Sequence, residues 1–293
     1  MAETECERAI GEHCRSVFKL ESFGARINRK GAIVGAMSDN REAARHQFGE
    51  HAENYRMSRT HGNQAALERL IQFLAPKGGE KAADIGCGGG HMSVSLAKCV
   101  SELVAVDMTP QMLTQTSILA DQRGLTNIVR CLADAQSLPL RPEVFDIVSC
   151  RSVLHHVPDV ARAVLEMGHI LRKGGKLFVS DMVGLEDTTA SDYVDEIERL
   201  RDPSHMKCHS VEEWHRFFGA AGCKITKMNV TSRRSYNLKE WTERSGTPKD
   251  KVEMILKMLE NVPEDVDKHL RIEHSEGVYS FSAKSGQFLG IKT

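Results

Sequence analysis

A run of glycines constrains this chain more than any other feature. Gly86, Gly88, Gly89 and Gly90 follow directly on a short apolar segment, in the order Ala83-Asp84-Ile85-Gly86-Cys87-Gly88-Gly89-Gly90-His91. Glycine has no Cβ, so such a run lets the backbone turn sharply and lets a ligand approach the main chain closely. A strand that ends in a glycine turn and passes into a helix belongs to α/β architecture. Three more segments repeat the strand character: Leu103-Val104-Ala105-Val106 ending at Asp107, residues 145–150, and residues 176–180. Short, continuously apolar runs suit strands buried on both faces of a parallel sheet. The helices between them have legible starts. Thr109 precedes Pro110, Asp159 opens a helix from Val160, and Ser210 with Glu213 has the capping-box spacing. Strands alternating with helices predict a doubly wound, mostly parallel α/β sheet with right-handed crossovers.

Composition removes other classes. The 293 residues are 41% hydrophobic and 27% charged, which suits a folded globular chain rather than a disordered one. The net charge of −1 supplies no basic excess for nucleic acid or an acidic membrane, and aromatics at 5% are too few for a base-stacking platform. No apolar run approaches the ~20 residues of a membrane-spanning helix. The eight cysteines contain no C-x-x-C pair, so they read as reduced, packed thiols in a cytoplasmic protein, and no metal is expected.

Four regions follow from the pattern. Residues 1–40 are polar, weakly periodic and interrupted by glycine, an extension ahead of the core. Residues 41–235 carry the α/β core. Residues 236–277 are a helical insertion placed to act as a cap or lid, and residues 278–293 return to strand character as the last strand.

The glycine turn is not a dinucleotide fingerprint, because Gly86-x-Gly88 is followed by His91 where a third Gly or Ala belongs, and no Walker lysine follows. Asp84, at the strand end, would repel a pyrophosphate and suits a ligand carrying an ammonium. The stretch Asp84-Ile85-Gly86-Cys87-Gly88-Gly89-Gly90 resembles the first motif of class I S-adenosylmethionine-dependent methyltransferases. Ala133-Asp134-Ala135-Gln136 resembles the third motif, and residues 145–148 with Leu154-His155-His156-Val157-Pro158-Asp159 resemble the fourth strand and its loop. Phe48, Ala52 and Tyr55 resemble the N-terminal element of small-molecule enzymes near the ubiquinone and menaquinone methyltransferases. Arg201-Asp202-Pro203-Ser204-His205 is similar to a stretch in uncharacterised bacterial members.

The resemblance implies a Rossmann-like sheet of seven strands with a helical cap, S-adenosyl-L-methionine as cofactor, and a small-molecule methyl acceptor. It implies that Asp84, Gly86, Gly88 and Gly90 cradle the cofactor, that Asp107 takes the ribose hydroxyls, and that Met108 packs on the adenine. Asp134 and Ala135 meet the adenine edge, Arg151 meets the amino-acid end, and Tyr55 closes over the whole. His155 and His156, after the fourth strand, are the expected base. No nucleic-acid or membrane partner is expected, and a homodimer is left open. Three rivals stand beside this reading: a dinucleotide oxidoreductase, a non-catalytic cofactor-binding relative, and a carboxyl O-methyltransferase acting on an acyl-carrier substrate.

Overall fold

The computed structural model describes residues 39–231, 237–275, 278–281 and 283–293. Apart from the first residues of helix α1, the N-terminal extension lies outside them. Three helices lead in: α1 (Asp39–Glu50), α2 (Ala52–Met57) and α3 (Gln64–Leu74). The core then alternates β1 (Lys81–Ile85), α4 (His91–Ala97), β2 (Glu102–Asp107), α5 (Pro110–Gln122), β3 (Ile128–Leu132), β4 (Phe145–Arg151), α6 (Val160–Ile170) and β5 (Leu171–Val183). After it come α7 (Thr188–Arg201), α8 (Val211–Ala220), β6 (Cys223–Thr231), α9 (Leu238–Ser245), α10 (Lys249–Glu260), α11 (Glu264–Leu270), β7 (Glu273–Ser275), β8 (Val278–Ser280) and β9 (Lys284–Lys292).

Seven strands form one sheet in the order β3-β2-β1-β4-β5-β9-β6. All neighbours are parallel until β9, which runs antiparallel to both β5 and β6. Side chains alternate across the sheet as the strand period of two demands. Val104 and Val106 of β2 face a layer containing Val164, Met167, Trp214 and Phe218 from α6 and α8. Leu103 and Ala105 face the opposite layer, with Leu70 and Leu74 of α3 and Leu96 of α4. Burial on both faces explains why these strands read as unbroken apolar runs.

Two expected helix starts are built as their spacing suggests. Asp159 accepts from the Arg162 amide, and Ser210 and Glu213 complete a reciprocal capping box. Thr109 differs: its side chain makes no cap, and the carboxylate of Asp107 takes the Thr109 amide at 2.9 Å. The stretch read as one closing strand is divided. β8 pairs with β7 in a separate two-stranded ribbon, and only β9 joins the sheet.

Register positions the site. Ile85 pairs with Val106 on one side and Cys150 on the other, so Gly86, Asp107 and Arg151 leave the sheet at one height along its carboxyl edge. The helices after β5 and β6 build a second small core over that edge, in which Ile197 of α7 packs with Leu238, Trp241, Ile255, Leu259 and Phe281. Among the described residues no helix is long and apolar enough to cross a membrane.

Candidate active site

Two cavities meet at the carboxyl edge of the sheet. The larger is walled by the glycine turn, by the ends of β2 and β4, by the turn after β3, and by α1 and α2. Asp84 is 1% exposed and is held by two hydroxyls, Ser93 Oγ at 2.6 Å and Ser149 Oγ at 2.7 Å. Burial pushes its carboxyl up to about 6, against the pull of those two donors. Asp107 accepts from the Gly88 amide at 2.9 Å through one oxygen and from the Thr109 amide through the other. Burial raises its carboxyl too, opposed by these amides. Asp134 accepts from the Gln136 amide at 2.8 Å and pairs with Arg41 of α1 at 3.1 Å. Arg151 donates to the His61 carbonyl at 3.0 Å.

Individual glycines have separate reasons to be glycine. Gly88 sits at φ +52°, and a Cβ there would meet no atom within 4 Å, because the space above it is the cavity itself. At Gly89 a Cβ would lie 2.8 Å from the Arg56 amide nitrogen, so α2 reaches the turn only because that position is bare. His91 fixes the same contact, its Nε2 lying 3.2 Å from the Tyr55 carbonyl oxygen. Tyr55 and Phe48 meet edge to face at 5.5 Å, and burial pushes the Tyr55 phenol up to about 12, keeping it neutral.

The smaller cavity adjoins the first through Phe48, Tyr55, His61, Ser152 and His156, which line both. Its far wall is Glu198 and Arg201 of α7 with Trp241 and Arg244 of α9. Arg201 Nε lies 3.1 Å from Glu198, and its guanidinium stands 4.9 Å from the Trp241 ring centre.

The adjacent histidines, in a short 3-10 turn after β4, have different surroundings. His155 Nδ1 lies 2.5 Å from Asp181 Oδ1. Burial disfavours its charge, but the Asp181 carboxylate outweighs burial and raises it. The Asp181 carboxyl, which burial alone would raise, is held low by His155 and by the Met182 and Leu154 amides. His156 has no carboxylate in hydrogen-bond contact. Its Nδ1 lies 3.0 Å from Ser204 Oγ, and burial followed by the charge of His155 lowers it well below the ordinary histidine value.

One trio among the described residues brings three metal-ligand types together: Asp195, His205 and Cys208. Asp195 Oδ1 already accepts from His205 at 2.7 Å and from the Cys208 amide at 2.9 Å. Those are the spacings of a satisfied buried carboxylate, and the trio anchors the 202–209 segment.

Residues 83–179 match the family model described as a methyltransferase domain. The chain is 31% identical over 250 residues to the uncharacterised methyltransferase YcgJ of Bacillus subtilis, an alignment spanning 84% of this chain and 97% of that one. The chain belongs to the class I methyltransferases. A solved methyltransferase from Bacillus halodurans superposes with a TM-score of 0.75 at 27% identity, covering 78% of this chain and 99% of that chain. A ubiquinone biosynthesis O-methyltransferase of Xylella fastidiosa is 34% identical over 127 residues, 41% of this chain and 52% of that enzyme.

Membership of this family makes S-adenosylmethionine the cofactor, and the larger cavity fits it. The open space over Gly88 admits a ligand to the main chain, and the buried carboxylates of Asp84 and Asp107 stand at its rim. Nine of the ten residues expected to meet the cofactor line this cavity: Tyr55, Asp84, Gly86, Gly88, Asp107, Met108, Asp134, Ala135 and Arg151. Gly90 sits one turn behind, at φ +88°, where a Cβ would strike Thr116 of α5 at 2.9 Å. Of the expected bases, His156 lines both cavities and His155 only the smaller. Sequence reasoning missed Arg41, Thr109, Met112 and Gln136 in the larger cavity. It also gave no role to Glu198, Arg201, Trp241 or Arg244. No spacing rule links those four to the glycine turn; only the folding of α7 and α9 over the sheet edge brings them there.

Proposed function

We propose that this methyltransferase transfers the cofactor's methyl group to a small-molecule acceptor held in the smaller cavity, under α7 and α9. The observation that carries this reading is the meeting of two chambers at Tyr55, Ser152 and His156: one suited to S-adenosylmethionine, the other walled by ionisable and aromatic side chains. The bound cofactor supplies an already activated electrophile, a methyl on a sulfonium. The chain has to align the acceptor, exclude water and receive a proton. Asp84 faces the cofactor's ammonium, Asp107 its ribose hydroxyls, Asp134 and Ala135 its adenine edge and Met108 the adenine face. Arg151 lies at the amino-acid end. The glycines leave room for the ligand, and Tyr55 on α2 covers it.

His156 is the base in this reading. Burial and the neighbouring His155 lower it well below the ordinary histidine value and keep it neutral, whereas His155 is committed to Asp181. The helices of residues 236–277 serve as the cap, supported by their separate core and by Trp241 and Arg244 in the acceptor wall. A cytoplasmic setting is supported by Cys87, Cys99, Cys131, Cys150, Cys208 and Cys223, all free thiols.

The test is incubation of the protein with S-adenosylmethionine carrying a tritiated methyl and a small-molecule metabolite extract. Label appearing in a discrete low-mass product, together with release of S-adenosylhomocysteine, is expected. Cofactor binding with no transfer to any fraction would mark a non-catalytic relative.

A further inference from the structure

The segment Arg201-Asp202-Pro203-Ser204-His205 closes α7 and folds back over the turn that carries the two histidines. The Met206 amide donates to the His155 carbonyl at 2.8 Å and fixes the segment there. Ser204 is buried completely, between His156 Nδ1 at 3.0 Å and Asp202 Oδ1 at 2.5 Å. A serine hydroxyl has one proton to donate. Burial would raise the Asp202 carboxyl, but Arg201 beside it and the Ser204 hydroxyl and amide lower it, and both Ser204 donors converge on Oδ1, the arrangement of an ionised carboxylate that only accepts. The Ser204 proton therefore goes to Asp202, and the Ser204 oxygen must accept from the imidazole. That requirement puts the neutral His156 proton on Nδ1. Nε2, which makes no hydrogen bond to any described residue, keeps its lone pair. The charged and titratable groups that act most on the ring are His155, Asp202, His205 and Arg201, with Tyr55, Glu198 and Arg244 in the same cavity wall, and Phe48 packs on it at 4.9 Å between ring centres.

We propose that Asp202 and Ser204 are positioning residues that hold His156 as an Nδ1–H imidazole with an unprotonated Nε2 turned to the chamber, and that the acceptor atom is accordingly a hydroxyl oxygen. The inference rests on the methyl-transfer reading above. A carboxylate acceptor has no proton to lose and would gain nothing from a fixed neutral base, whereas a hydroxyl needs one. The step balances: the hydroxyl proton passes to His156 Nε2, the oxygen lone pair forms the new bond to the methyl, and the S–CH₃ electron pair stays on sulfur. The imidazolium so formed still donates through Nδ1 to Ser204, whose bond to Asp202 strengthens as charge develops. Arg201 and Arg244, in the same chamber wall, favour the oxygen's developing negative charge.

The tautomer is readable without an acceptor. In the full chain with labelled histidine, long-range nitrogen–proton correlation spectra near neutral pH should show one imidazole fixed with its proton on Nδ1, absent in His156→Gln. Ser204→Ala should release it to a mixture of tautomers, and Ser204→Thr, which keeps the hydroxyl, should retain it. Cofactor affinity by calorimetry should be unchanged in Ser204→Ala and Ser204→Thr, which also establishes that both are folded, and a cooperative thermal unfolding transition checks the fold of His156→Gln. With tritiated cofactor and the metabolite extract, His156→Gln should lower turnover about 100-fold or more. The labelled product should resist alkaline hydrolysis as a methyl ether does. An unchanged tautomer in Ser204→Ala overturns the relay, and a base-labile product that releases tritiated methanol, or a product whose methyl is found on nitrogen, carbon or sulfur, overturns the hydroxyl assignment. Loss of transfer by the unmodified protein would instead defeat the methyl-transfer reading, while the tautomer measurement still decides the relay.

Discussion

The two chambers are built by opposite means. The larger chamber comes mainly from contiguous stretches, each a strand end and the turn after it, at residues 84–91, 107–109, 133–136 and 151–153, closed over by α1 and α2. Its contacts are largely main-chain amides and the carboxylates that bind them. The smaller chamber takes Tyr55 from α2, His156 from the loop after β4, Arg201 from α7, and Trp241 and Arg244 from α9, nearly all as side chains. A parallel sheet fixes the first chamber through strand register, and its core pins it on both faces. The second depends on a small satellite core of capping helices. Chemistry common to a family can reside in the first and vary in the second, because repacking a helical cap leaves the sheet untouched.

The largest expected effect tests whether the cap is energetically separate. Trp241 is 2% exposed and packs edge to face on Phe281 at 5.1 Å. Trp241→Ala should cost about 3–5 kcal/mol, the range for deleting a large buried aromatic. The loss should appear as faster hydrogen exchange in α9 and α10, with β1 and β2 unchanged and cofactor affinity retained. Uniform loss of protection through the sheet would show one cooperative core instead of two.

Next in size is Asp107→Ala. It removes the acceptor of the Gly88 and Thr109 amides as well as the group proposed to face the ribose. Titration calorimetry should show S-adenosylmethionine binding weaker by about 1–3 kcal/mol. Full affinity in this variant would detach β2 from the cofactor chamber.

The smallest effect sharpens the electrostatics. Burial raises Asp84 to about 6, so without ligand its contribution to stability is present at low pH and is lost as pH rises toward 6. A bound ammonium has the opposite preference and favours the carboxylate. Cofactor affinity should therefore fall as pH drops through about 6, about tenfold for a pH unit below it, and be level above. Asp84→Asn should flatten that dependence. A pH-independent affinity in the unmodified protein would place the ammonium elsewhere.

How much was legible in the sequence follows the same division. The strands buried on both faces were readable as apolar runs. β3 was not, because its exposure alternates along Ile128–Leu132 and it carries Arg130 in mid-strand, as befits the edge of the sheet. Asp84, Asp107 and the glycines were legible because a turn between a strand and a helix needs these residue types at fixed short spacing. The adjacent histidines were legible as a pair, but the sequence does not distinguish them. Asp181 lies 26 residues beyond His155, and Ser204 lies 48 beyond His156.

Local chemistry thus determined the α/β alternation, two of the helix caps and the cofactor turn, since each rests on interactions between residues a few positions apart. Tertiary structure alone decided which histidine is raised and which is lowered from the ordinary value. It also decided that Ser204 and Asp202 stand behind one of them, and that Arg201, Trp241 and Arg244 wall the smaller chamber. A pKa or a tautomer is set by what surrounds a group in three dimensions, and here those surroundings come from segments that meet only when the cap folds onto the sheet.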